Sequence, residues 1–125
     1  MALSWSTVTI DNVASIGTSE KLISAETNPG SAGISILPNE RCIMSVSIGT
    51  HGTDDVTVTV YGRLASTGGW YLIKSFVIAA GDTDEHEVFD FLGGPEHVDV
   101  GFVASGSTDN PTATSLCRKS PVNGA

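Results

Sequence analysis

The chain has 125 residues, 40% of them hydrophobic and 16% charged, and its 14 acidic residues against six Lys and Arg give a formal charge of −8. That length suits a single domain, residues 1–125, burying about 65% of its unfolded surface, and the composition excludes both a disordered polyelectrolyte and a membrane protein. The acidic balance repels a phosphate backbone, so nucleic acid is excluded as an expected partner, and no run approaches the roughly 20 apolar residues of a membrane span.

The first residues, MALSWSTVTI, show no basic leader and no apolar signal core, so the product is expected to be made in a cytoplasm without a signal peptide. Residues 1–5, with Trp5, read as an N-terminal arm, and Ser4 to Ile10 and Lys21 to Ala25 as short strands. Glu26 to Arg41 is the longest irregular stretch. It carries two Pro and two Gly around the apolar piece Ile34 to Leu37, and reads as an excursion that reaches a neighbouring molecule.

From Cys42 the pattern turns to alternation. Met44, Val46 and Ile48 are expected inward with Ser45 and Ser47 outward; Val56, Val58 and Val60 inward with Thr57, Thr59 and Tyr61 outward; and Val98, Val100, Phe102 and Ala104 inward. A period of two marks strands with one buried face. The segments WYLIKSFVIAA and EHEVFDFL alternate less cleanly, which points to apolar contacts on both faces or to a bulge. The connection ASTGG before Trp70 is short and glycine-rich, as a hairpin requires. Thr112 to Arg118 forms a last strand and residues 121–125 a flexible tail. No window keeps a helical period. Eight or nine short strands with turn signals between them predict an all-β fold, a single antiparallel β-sandwich of jelly-roll or Ig-like type.

Sites that would carry chemistry are sparse. Cys42 and Cys117 could form one bridge, but both lie in strand contexts where a thiol packs as a small hydrophobe, so unbridged thiols are expected. Trp70 follows Cys42 too distantly for the Cys–Trp–Cys pattern of immunoglobulin domains. His51, His86 and His97 lack a metal-ligand spacing, and the acidic stretch Asp82 to Glu87 lacks the Gly and terminal Glu of an EF-hand. Metal and cofactor are therefore not expected. The acids Asp82, Asp84, Glu85, Glu87, Asp90, Glu96 and Asp99 follow one another without an intervening Lys or Arg, predicting one strongly negative rim. No serine sits in a nucleophile elbow, and no Gly-rich turn is followed by a helix that could cradle phosphate. The chain reads as a binding or structural module and not as an enzyme. Trp5, Trp70 and Tyr71, with Ile34, Ile36 and Leu37, are the expected interaction surface. Aromatic rings on a sandwich can also hold sugars, which makes a carbohydrate- or receptor-binding module the alternative.

Residues 54–119 contain a Val/Thr-rich strand, DDVTVTVYGRL, a Gly-containing hairpin before Trp70, a Gly-Pro turn at Gly94-Pro95, and a final strand pair joined by Gly106-Ser107-Thr108-Asp109. This stretch resembles small virion structural proteins of tailed bacteriophages, of the capsid decoration or cement type. The resemblance implies a cofactor-free virion protein that stabilises an assembled capsid, contacting the major capsid protein or another virion protein. It also implies a homo-oligomer, with a trimer favoured. A phage tail or neck component is the other role it suggests. No catalytic residue is implied.

Overall fold

The computed structural model describes residues 9–23, 34–38, 40–65 and 68–121. Trp5 and the rest of the arm, residues 26–33 of the excursion and residues 122–125 of the tail lie outside the described residues.

Nine strands form, and no helix is present among the described residues: β1 Thr9–Val13, β2 Lys21–Leu22, β3 Ile34–Ser35, β4 Glu40–Gly49, β5 Val56–Arg63, β6 Tyr71–Ile78, β7 His86–Leu92, β8 His97–Ala104 and β9 Thr112–Pro121. They build a β-sandwich of two antiparallel sheets. One has the order β1-β9-β4-β7; in the other, β2 and β3 both pair with β8, followed by β5 and β6. β1 runs past the expected end at Ile10, because Asp11, Asn12 and Val13 continue the pairing, opposite Ser115, Thr114 and Ala113, while residues 4–8 of the expected strand lie outside the described residues. At the other terminus β9 continues past Arg118 to Pro121, which pairs with Glu40, so residue 121 belongs to the sheet and not to a tail.

Alternation dictates which side chains enter the core. Cys42, Met44, Val46 and Ile48 from β4 and Val88 and Phe89 from β7 meet Val56, Val58 and Val60 from β5 and Val98, Val100 and Phe102 from β8. The irregular strands have the expected cause. Register shifts occur between Met44 and Ser45 opposite β7, and between Val60 and Tyr61 opposite β6, and a bulge reverses the face on which the following side chains stand.

Because adjacent strands are antiparallel, the loops gather at two ends. Gly49, Val56, Ile78, His86, Ala104 and Thr112 end their strands at one of them, here the loop end. Glu40, Arg63, Tyr71, Leu92, His97 and Pro121 lie at the other, the turn end.

Candidate functional site

The turn end carries a groove of about 480 Å³, lined by Ser35, Ile36, Leu37, Pro38, Leu64, Gly94 and Glu96. Three connections converge on it. After β3, the Ile36 N–H donates to the Glu96 carbonyl at 2.8 Å, while the Leu37 N–H donates to the Glu40 carboxylate at 3.2 Å and the Glu40 N–H returns to the Leu37 carbonyl at 3.1 Å. The turn after β7 fits beneath: Gly93, at φ 67°, donates its N–H to the Glu40 carbonyl at 2.9 Å. The third contribution, Leu64, is the residue following β5.

These constraints give the groove a buried floor and apolar lips. Ile36 is 3% exposed, whereas Leu37 and Leu64 are 57% and 70% exposed. Leu92, also largely exposed, stands at the same end opposite Arg41. Beside Leu64, Arg63 is buried with its guanidinium carbon 4.8 Å from the centre of the Trp70 ring, a cation–π contact that fixes the hairpin base. Tyr71 lies over Gly62, where a Cβ would stand 3.0 Å from the Tyr71 ring and 2.8 Å from Ile73 Cδ1. Trp70 and Tyr71 thus sit on the hairpin whose other strand leads into Leu64.

Of the six residues expected from sequence at an interaction surface, the fold brings Ile36 and Leu37 together in the groove and sets Trp70 and Tyr71 on the adjoining hairpin. Ile34 is half-buried against the core, and Trp5 lies outside the described residues. Ile36 serves as floor more than as contact. Leu64 escapes the sequence reading, whereas Pro38 belongs to the expected excursion and Glu96 to the expected negative rim. Leu64 continues the inward phase of Val56, Val58 and Val60 and so reads as core, but it falls one residue past the end of β5 and projects from the sandwich.

The expected negative rim is divided by the fold. Asp82, Asp84 and Glu85 lie at the loop end, Glu87 and Asp90 along β7, Glu96 in the groove, and Asp99 is fully buried on β8. Asp90 forms a two-pronged pair with Arg41, at 2.8 and 2.6 Å, which holds its carboxyl below the ordinary range. Asp54, Asp55 and Asp109 join the loop end from distant segments. There His51, 2% exposed, points its two ring nitrogens at the carbonyl oxygens of Asp54 and Asp82, at 3.2 and 2.6 Å. The Asp82 carboxylate accepts the Asp84 N–H at 2.9 Å and faces His86 at 3.0 Å; the Asp84 N–H and then His86 lower its pKa. No group of three His, Cys, Asp or Glu arranged to hold a metal occurs among the described residues. A scan against protein-family models finds no matching family, and searches of curated proteins and of solved structures find no match for this chain.

Proposed function

We propose that the chain is a structural virion protein that binds and stabilises an assembled phage capsid, a decoration or cement protein with the major capsid protein or another virion protein as partner. The observation that carries this reading is the pair of exposed leucines, Leu37 and Leu64, on the lips of a groove where hydrogen bonds tie the segment after β3 to the turn after β7. A rigid apolar end suits docking without chemistry, since little ordering entropy opposes the contact. The sandwich frame is read as a jelly roll. Its strand order places β1-β9-β4-β7 over β2/β3-β8-β5-β6, so that successive connections after β4 cross between sheets or form hairpins, the wrapped order of two Greek keys.

Burial of one leucine contributes about 1.5–3 kcal/mol. Leu37→Asp with Leu64→Asp is therefore expected to weaken shell binding about a hundredfold or more, while leaving the melting temperature of the isolated domain nearly unchanged. Co-sedimentation with purified shells measures the first, and the thermal rupture point of shells with and without the protein measures stabilisation. If neither co-sedimentation nor a shift in rupture occurs with any candidate shell, the reading fails. Tyr71, 40% exposed beside Trp70, favours the sugar- or receptor-binding alternative; a glycan-array signal lost in a folded Trp70→Ala variant would replace the capsid reading with it.

A further inference from the structure

Sheet edges expose unpaired N–H and C=O groups, and proteins guard them with charge, brevity or proline. Among the described residues, three of the four sheet margins carry acids or are cut to two residues. β7 bears exposed Glu87 and Asp90, β1 contains Asp11 and Asn12, and the margin beside β8 is split into β2 and β3 of two residues each. The fourth margin is β6, eight residues long. It has no proline, and the segment Trp70 to Ala80 contains no acid and one Lys in a chain of charge −8. Leu72 and Val77 on it are 62% and 61% exposed, and no strand lies beyond it among the described residues.

We propose that β6 pairs edge to edge with β6 of a second copy, antiparallel about a two-fold axis, joining two sandwiches through one continuous sheet. The occupant follows from three features. Unsatisfied backbone groups along an extended edge call for another strand, not a globular surface. A like-charged copy can approach only where acids are missing, and β6 is the one margin longer than two residues that carries no acid among the described residues. A copy offers one long acid-free margin, which is β6 again, regular from Lys74 to Ile78 beyond its bulge at Ile73, and an antiparallel strand is self-complementary about a two-fold axis. This pairing gives two copies where the resemblance to capsid decoration proteins implies three, and it stands whether or not the chain binds a shell.

The test is sedimentation equilibrium on the purified chain across the micromolar range, together with amide hydrogen exchange. Wild-type protein is expected to reach twice the 12.9 kDa chain mass, with the amides of Tyr71–Ile78 gaining protection as concentration rises. Leu72→Lys and Val77→Lys, placing guards on exposed positions, are expected to remain at single-chain mass with melting temperatures like that of dilute wild type. A wild type that stays at single mass, that forms threes, or that dimerises without added protection on β6 overturns the proposal. So does a dimer that persists in both folded lysine variants. Should either variant fail to fold, the exchange measurement on wild type decides alone.

Discussion

Asp54 and Asp109 hold each other's backbone. The Asp109 carboxylate accepts the N–H groups of Thr53 and Asp54 at 2.8 and 2.7 Å, and Asp54 Oδ2 accepts those of Thr108 and Asp109, both at 3.0 Å. The clasp ties the β4–β5 loop to the β8–β9 loop, and Gly106 makes room for it: a Cβ there would stand 2.8 Å from Asp54 Oδ1. Asp54 is 4% exposed, so its removal strands two N–H groups away from full hydration. Asp54→Ala is expected to lower stability by about 2–4 kcal/mol, from one to two for each donor left unpaired. Urea unfolding measures it, and a loss within error would show that water replaces the carboxylate.

The same clasp predicts the response to acid. Two backbone N–H groups hold the Asp109 carboxyl below its ordinary range; Asp82 and Asp90 are held low as well, chiefly by the Asp84 N–H and by Arg41. A folded pKa below the unfolded one means that the unfolded chain binds more protons in acid. The stabilisation is therefore complete above the unfolded value near 4 and is lost as pH falls through the folded values. Melting temperature is expected to be level from neutral pH to about 5 and to fall below about 4, with a shallower fall in Asp109→Asn. An identical acid slope in that variant would remove Asp109 from the account.

The core was legible in the sequence because alternation is local: Val56, Val58 and Val60, like Met44, Val46 and Ile48, declare their buried face without knowledge of the partner strand. The clasp was not legible. Asp54 and Asp109 read as ordinary turn acids, and only the pairing of β5 with β8 brings their loops together. The acid run Asp82 to Asp99 misled for the same reason, since sequence adjacency along β7 and β8 distributes those side chains over both ends and the interior. At the groove, Leu37 was visible as an apolar residue inside an irregular stretch, but Leu64 was hidden by continuing the phase of a core strand.

Tyr61 and Glu20 show a second effect of packing on ionisation. The Tyr61 hydroxyl donates to Glu20 Oε2 at 2.7 Å, and Glu20 lies against Gly101, where any Cβ would collide with its carboxylate. Burial, followed by the Glu20 bond and charge, pushes the phenol up to about 12. The raised folded value stabilises the fold fully below the unfolded pKa near 10, and this contribution is lost as pH rises from about 10 to about 12. In a Tyr71→Phe background Tyr61 is the one remaining tyrosine of two, so absorbance at alkaline pH reports it directly. Glu20→Gln is expected to move its midpoint down without returning it to the ordinary value, because burial remains; an unchanged midpoint would remove Glu20 as a cause.

Gly93 is required by both its conformation and its neighbour. Its φ is 67°, and a Cβ would come within 2.7 Å of the Pro38 carbonyl oxygen, a backbone atom that cannot rotate aside. Gly93→Ala is expected to cost about 1–3 kcal/mol, and to disturb the groove because Pro38 and Gly94 both line it. Gly52 gives the contrast, since nothing lies within 4 Å of a Cβ placed there and its φ is not positive. Gly52→Ala should leave urea stability within about 0.5 kcal/mol. Equal losses in the two variants would mean that the Pro38 contact relaxes.

Cys42 on β4 and Cys117 on β9 bring their sulfurs to 3.6 Å inside the core without forming a bridge. Cys117 stands opposite Met44, one diagonal step from Cys42. The hydrogen bond between the thiols, then burial, pushes the Cys42 thiol well above its ordinary range. The thiolate is the reactive form, so both groups should resist alkylation by iodoacetamide in the native protein at pH 8 and take up two labels per chain once urea unfolds it. The sign of the linkage is opposite to that of the carboxylates. A raised folded value stabilises the fold below the unfolded thiol pKa near 8.5, and the contribution fades as pH rises past it. Cys42→Ala should remove this alkaline loss while costing only the contacts of one sulfur, on the order of 1 kcal/mol. Rapid labelling of the native protein would show that the β4–β9 pair opens locally, and mass loss of two hydrogens on mild oxidation would show that the two sulfurs can close the remaining distance.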